Sequence, residues 1–301
     1  MEGAAARGPS PWLGFGTCCA IWGSTFLFIR MGNDAAPPVW SAAVRLSLAA
    51  PLFALFAVLL RAPWPRGAQL RAALAFGLVD FGVSLPLLYW GEQRVPSGIA
   101  AVLFSTIPLV TSLLARLAGL EPLRTRALVA SIAAIGGVAL MFSSSMGGSR
   151  EPARLTAVAL PAVTASVAGV LLKRAPGGHP FATNAWAHAV GALVCWPVSL
   201  GLGEPQGLPG AAAWIPIAYL TLVGSLGAFA TFAWLLQRWT VTRTSFIAVV
   251  VPVVALLLGA IVRHEHPGGS AIAGSVVILG AVLAGIAGEP RRRAGRLREP
   301  A

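Results

Sequence analysis

Residues 89–123, YWGEQRVPSGIAAVLFSTIPLVTSLLARLAGLEPL, and residues 233–268, AWLLQRWTVTRTSFIAVVVPVVALLLGAIVRHEHPG, are one pattern written twice. At an ungapped offset of 144, Trp90 falls on Trp234, Gln93-Arg94 on Gln237-Arg238, Pro108 on Pro252 and Glu121 on Glu265. The same offset carries Ser131 onto Ser275 and Gly136 onto Gly280, and further back Arg30 onto Arg174. Seven anchors at one offset, in a chain with only ten tryptophans and ten acidic residues, mark two copies of one unit.

Composition says what solvent the unit is built for. Of 301 residues, 56% are hydrophobic and 11% charged, and the mean hydropathy is +0.77. Soluble domains carry about 25% charged residues, so this chain has too little polar surface to cover a soluble fold. A bilayer core needs about 20 consecutive apolar residues per helix. Ten segments qualify: 12–31, 38–60, 70–90, 96–117, 127–142, 155–172, 181–201, 211–236, 244–262 and 270–288. Short Pro/Gly/charge clusters such as NDAAPP, RAPWPRG and GLGEPQGLPG separate them, as expected for helix ends. The net charge of +12 is topological rather than a nucleic-acid footprint, because the arginines stand between apolar runs and in the tail RRRAGRLRE. With the N-terminus inside, sixteen basic residues fall on the cytoplasmic side and five outside, which places both termini in the cytoplasm of a multi-pass cell-membrane protein.

The expected organisation is a tail over 1–11, a first five-helix repeat over 12–145, a linker over 146–153, a second repeat over 154–289 and a basic tail over 290–301. Five spans is an odd number, so the second copy enters the membrane from the opposite side. Inverted repeats are the architecture of alternating-access transporters. The fold class expected is an all-α membrane protein, ten transmembrane helices in two inverted five-helix repeats around a central cavity.

IWGSTFLFIRMG in the first span, the Arg45-containing second span and LLYWGEQRVPSGIAAVLFSTIPLVTSLLA resemble the EamA family of the drug/metabolite transporter superfamily. So do the half-ends GLEPLRTRALVASIAAIGGVALM and RHEHPGGSAIAGSVVILGAVLAG. The resemblance covers about residues 12–288. It implies ten helices, two inverted repeats, a central cavity and export or exchange of small metabolites; its members handle amino acids, nucleotide sugars, cations and drugs. The second copy departs from the first, with Ser166 and Val167 where Trp22 and Gly23 stand.

Asp80 lies in the middle of the apolar run AFGLVDFGVSLPLLYW. An acid there costs about 2.5–3.5 kcal/mol on insertion scales and must face protein or water. Its repeat mate is Gly224, so the fold does not require an acid at this place. One reading is a proton- or cation-coupling site, or the partner of a cationic substrate group; the other is a neutral hydrogen bond to a neighbouring helix. Arg45 is a candidate for a substrate carboxylate or for pairing with Asp80, against snorkelling to the interface. Asn184 and His188 share one helix face as a protonation site or as packing residues. Lys173 and Arg174 end the sixth span, as positive-inside anchors or with Lys173 facing the cavity. Trp22, Ser24, Ser84, Thr106 and Phe229 complete the cavity candidates, while Tyr89, Trp90 and Trp234 suit either the cavity or an aromatic belt. Pro108 and Pro252 break matched helices and are hinge candidates. Gly32, Gly77, Gly82, Gly136, Gly137 and Gly280 read as close helix packing.

No cofactor is expected. RHEHPGG is not the HExxH that sets two histidines on one helical face, and Glu265, echoing Glu121, reads as a loop cap rather than part of a metal site. Cys18, Cys19 and Cys195 read as packing residues. The partners expected are a small-molecule substrate and the lipid bilayer, with no nucleic acid, for a monomer or homodimer. A membrane enzyme acting on a lipid-linked substrate is the competing class; it lacks GxSxG, HExxH and paired catalytic acids, and the loops are short. The protein is therefore read as a transporter and not an enzyme.

Overall fold

The computed structural model describes residues 10–95, 97–143, 151–262 and 266–287. Most of the expected linker, the tail 290–301, residues 1–9, and His264 and Glu265 lie outside these. All regular elements among the described residues are helical. In order they are α1 (Pro11–Ala35), α2 (Pro38–Leu59), α3 (Gly67–Phe76), a π-helical segment (Gly77–Ser84), α4 (Leu85–Glu92), α5 (Ser97–Phe104), α6 (Ile107–Leu117) and α7 (Thr125–Met141). There follow α8 (Pro152–Arg174), α9 (Pro180–Gly201), α10 (Ala211–Tyr219), a second π-helical segment (Leu220–Gly227), α11 (Ala228–Arg238), α12 (Val241–Ser245), α13 (Ile247–Val262) and α14 (Gly269–Ala287). Proline at the first helical position, where its missing N–H removes nothing, starts α1, α2, α8 and α9.

Among the described residues, eight helical stretches are long and apolar enough to cross a membrane. The apolar α7 has 17 residues, and α9 has 22 but carries Thr183, Asn184 and His188. Leu193, Ile132 and Val276 are more than half exposed on the outer surface, the surface a hydrocarbon solvent requires.

The repeat is visible in how the helices pair. α2 packs on α9, its mate at offset 144, and the two run antiparallel. Glu204, just past α9, accepts hydrogen bonds from Val39 N (3.0 Å) and Trp40 N (2.7 Å) at the start of α2. At the other end Phe56 stacks on Phe181, with ring centroids 5.6 Å apart. α7 and α14 are also mates and also antiparallel: Arg126 Nε donates to Ala284 O at 2.5 Å, while Gly137 meets Gly274. The crossing contacts are reciprocal. Gly23 of α1 lies against Val251 and Val254 of α13; Ser166 of α8 donates to Ile107 O of α6 at 3.4 Å.

Four details differ from the sequence expectation. The matched stretches α3–α4 and α10–α11 each contain a π-helical segment, at 77–84 and 220–227. The α5–α6 helix breaks at Ser105-Thr106 ahead of Pro108, whereas α13 runs continuously through Pro252 and the break lies earlier, at Phe246. Gly77, Gly82 and Gly137 do sit in close packing, but Gly136 and Gly280 face open space. Tyr89 is buried beside Ile29, Ala42 and Leu220 rather than at a belt; Trp90 and Trp234 instead carry guanidinium groups over their rings, Arg154 at 3.6 Å and Arg238 at 4.0 Å.

A Cβ on Gly274 would stand 2.5 Å from Gly137 O and 2.6 Å from Met141 N, whereas one on Gly136 meets nothing within 4 Å. Gly274→Ala is therefore expected to cost about 1–3 kcal/mol by overpacking and to lower the thermal unfolding midpoint in detergent. Gly136→Ala should leave that midpoint unchanged or raise it. Equal effects of the two substitutions would contradict the α7–α14 seam.

Candidate substrate cavity

Between the paired helices lies a cavity of about 520 Å³, within the range of small-molecule sites. It is lined from both halves: by α1, α2, the first π-helical segment and the broken α5–α6 helix on one side, and by α8, α11, α12 and α13 on the other. Its wall is mainly aromatic. Trp22 meets Phe229 and Phe232 at centroid distances of 5.3 and 5.4 Å, and Phe81 meets Phe229 at 4.8 Å and Phe76 at 5.3 Å.

Two charged side chains line this apolar space, Arg45 and Asp80. Arg45 sits on α2 and is 5% exposed. Its Nε donates to Ser225 Oγ at 2.9 Å, so the guanidinium is fixed at the second π-helical segment and does not snorkel. Asp80 projects from the first π-helical segment. Among the described residues no hydrogen bond or ion pair engages its carboxylate, and none joins it to Arg45. The site thus holds a carboxylate and a guanidinium that line one chamber without pairing.

Of the other expected residues, Trp22, Ser84, Phe229 and Pro252 line the cavity. Ser84 Oγ bonds Val79 O at 3.2 Å and meets the Thr164 hydroxyl. Ser24, Thr106, Pro108, Asn184 and His188 do not line it. Ser24 bonds Ile21 O and Tyr219 OH, both at 2.6 Å. Thr106 Oγ1 donates to Leu103 O at 2.6 Å beside the helix break. Asn184 Nδ2 donates to Pro180 O and, across to α11, to Phe229 O at 3.1 Å. His188 lies behind the wall, fully buried between Phe53, Phe81 and Phe229; its Nδ1 is 2.9 Å from Asn184 O. A carbonyl only accepts, so Nδ1 carries the proton, which is the packing arrangement rather than a cavity-facing acid. Lining residues that sequence reasoning missed include Thr111, Ser166, Thr244 and Ser245. Thr111 Oγ1 is buried and unpartnered among the described residues. Ser166 is the position where the second copy departs from Trp22, and that departure was its signal.

The sequence profile of the EamA-like transporter family matches residues 12–143 and 154–285. The chain belongs to this family. It is 31% identical over 242 residues to the uncharacterized inner membrane transporter YedA of Escherichia coli K12, covering 79% of this chain and 78% of that one. It is 30% identical over 287 residues to a protein of Streptantibioticus cattleyicolor named a probable terminal-alkyne amino-acid exporter, covering 92% of both. A solved crystal structure, 20% identical, shares the fold with a TM-score of 0.75 over 91% of this chain and 95% of its own. The protein is a membrane transporter with two EamA repeats, embedded as a multi-pass protein and acting on a small molecule.

The α12 end of this transporter's cavity is tied together by buried side chains and charged hydrogen bonds. At the α12 end Val241, Thr244 and Ile247 are buried to within 2%. Lys173 Nζ donates to Leu236 O and, at 2.7 Å, to Trp239 O, tying α8 to the end of α11. The lysine therefore does not face the cavity. Glu121 accepts from Val241 N at 2.6 Å and Thr242 N at 3.4 Å, which caps α12. At the far end Leu27, Phe104, Phe142 and Leu258 are only half-buried.

Removing the Lys173 ammonium takes a charged donor from two carbonyls, at about 1.5–3 kcal/mol per bond. Lys173→Met is expected to loosen the α12 end. A cysteine placed at Thr244 should then react several-fold faster with an impermeant maleimide added on that side of sealed vesicles, while the buried native Cys18, Cys19 and Cys195 stay unreactive. An unchanged labelling rate would show that Lys173 does not hold this end shut.

Proposed function

We propose that the protein is a secondary transporter that exports a small polar metabolite, amino-acid-like in character, by alternating access between two inverted five-helix repeats. The observation that carries this reading is a cavity lined by an acid with no hydrogen bond or ion pair among the described residues, enclosed by repeat mates that pack antiparallel. Antiparallel mates are what inversion predicts. A ten-span topology follows if α7 and α9, one short and one polar, cross with the eight apolar helices. Both termini are then cytoplasmic, from the distribution of basic residues, and the α12 end faces the cytoplasm. The relative named as an amino-acid exporter supports the substrate class and the direction.

In the proposed cycle the solute enters the chamber between the halves. The broken helix α5–α6 and the α12–α13 helix rock against the rest about Ser105-Thr106 and Phe246, beside Pro108 and Pro252, and the chamber opens to the other side. Asp80 couples the cycle to protons: its carboxylate is the acid of the chamber, and loading and unloading a proton there changes the chamber's net charge. Arg45 lines the same chamber, and the ring-enclosed His188 stands behind its wall on α9, which packs against the first π-helical segment.

The test uses purified protein in proteoliposomes loaded with a radiolabelled amino-acid mixture. Efflux should accelerate several-fold under an inward proton gradient. Asp80→Asn should abolish that acceleration while keeping a normal size-exclusion profile and unfolding midpoint. A well-folded Asp80→Asn protein whose efflux keeps the wild-type pH dependence would remove the coupling role, and absence of flux for every solute class tested would remove the export reading.

A further inference from the structure

Two oppositely charged side chains deep in their helices line the same apolar chamber and leave each other unpaired. Arg45 stands seven residues inside α2 and Asp80 twelve residues from the end of α4. Each carries an insertion cost of about 2.5–3.5 kcal/mol, and a protein lowers that cost by pairing them directly. Here the fold keeps them apart. Ser225 takes the Arg45 Nε, and the guanidinium Nη atoms have no protein hydrogen bond among the described residues.

The repeat explains how the room is made. Asp80 and Gly224 are mates at offset 144, on the two matched π-helical segments. Where the first copy has its carboxylate, the second has a bare backbone with the Arg45 guanidinium over it: a Cβ on Gly224 would lie 3.4 Å from Arg45 Nη2 and 3.0 Å from Thr25 Cγ2. Both charges belong to the first copy: the carboxylate stands on its own π-helical segment, and the guanidinium reaches over to Gly224 on the matching segment of the second copy.

From this geometry we infer that the chamber binds its substrate as a zwitterion, with the ligand carboxylate on the Arg45 guanidinium and its ammonium on the Asp80 carboxylate. The remaining apolar part of the ligand packs among Trp22, Phe81, Phe229 and Phe232. The inference rests on the transporter reading and names how its site selects. A free acid would satisfy Arg45 and leave Asp80 without a cationic partner; a free amine would engage Asp80 and leave the Arg45 guanidinium without an anion. A zwitterion satisfies both at once and keeps the loaded chamber neutral. Arg45 suits the carboxylate because a guanidinium pinned through Nε still offers its two Nη donors as a fork.

The test is a matched ligand series on the full-length protein in detergent: L-phenylalanine, phenethylamine, which lacks the carboxylate, and 3-phenylpropionate, which lacks the ammonium. Binding is followed by isothermal titration and by the fluorescence of Trp22 against a Trp22→Phe control. Phenylalanine should bind about tenfold or more tightly than either single ion, since a site built for a polar group rejects the analogue lacking it. Arg45→Gln should weaken phenylalanine about tenfold with little change for phenethylamine, and Asp80→Asn should weaken phenylalanine with little change for 3-phenylpropionate, each loss being that of one charged hydrogen-bond partner. The wild-type series stands without any variant, and Arg45→Lys, which keeps the charge but loses the fork, should fall between wild type and Arg45→Gln. Equal affinity for the three ligands, no binding of any, or an Arg45→Gln protein that loses phenethylamine as much as phenylalanine would overturn the inference. Proton-driven efflux of some other solute would then leave the transporter reading standing, so the two failures are separable.

Discussion

An ionised group in hydrocarbon must be surrounded by protein or water, and this chain carries a carboxylate and a guanidinium of that kind on neighbouring helices. The architecture around them follows from keeping both out of lipid without letting them collapse onto one another. The tight seams lie at the periphery, where α2 meets α9 and α7 meets α14 through alanine and glycine. Gly77 is pressed so closely to Ala187 that a Cβ would stand 2.3 Å from its carbonyl oxygen. Toward the centre the small residues give way to Trp22, Phe76, Phe81, Phe229 and Phe232, whose rings brace one another edge-on and hold the wall open. Small residues outside and large rings inside make a chamber instead of a solid bundle.

The sequence made the larger organisation readable because lipid allows few solutions. Apolar length sets the segments, and one ungapped offset sets the repeat. Asp80 was legible for the same reason, as a charge with no place in an apolar run. What the sequence did not announce depends on hydrogen-bond register. A π-helical turn shifts the backbone ladder by one residue and demands no particular side chain, so the segments at 77–84 and 220–227 left no mark beyond local glycine. Pro108 falls at the start of α6, where a missing N–H is harmless, and the chain breaks just before it. Its mate Pro252 lies inside α13, and the chain breaks at Phe246 instead. His188 sits on the helix face the spacing assigned, but Phe81 and Phe229 stand between it and the cavity.

The two copies have parted company where it matters chemically. Their seams are reciprocal: α1 on α13 answers α8 on α6, and the first π-helical segment on α9 answers the second on α2. At the chamber the correspondence fails. Asp80 is matched by Gly224, Trp22 by Ser166, and Arg45 by a position beside His188. A symmetric scaffold with an asymmetric lining is what the proposed cycle needs, since its seams could exchange between two states around one binding site.

The same comparison bears on which state is favoured. In an alternating-access cycle the two ends close by equivalent contacts, and similar contacts give similar energies. At the α12 end closure includes Lys173, which donates to Leu236 O and Trp239 O. The mate of Lys173 is Ile29, which has no donor to offer at the opposite end. Closure at the α12 end therefore gains a charged hydrogen-bonding group that closure at the other end lacks. A difference of about 1.4 kcal/mol is a tenfold change in population, and hydrogen bonds to a charged group are worth about 1.5–3 kcal/mol each. Under the proposed cycle, a lysine in one copy where the other has isoleucine favours closure at α12 over closure at the opposite end.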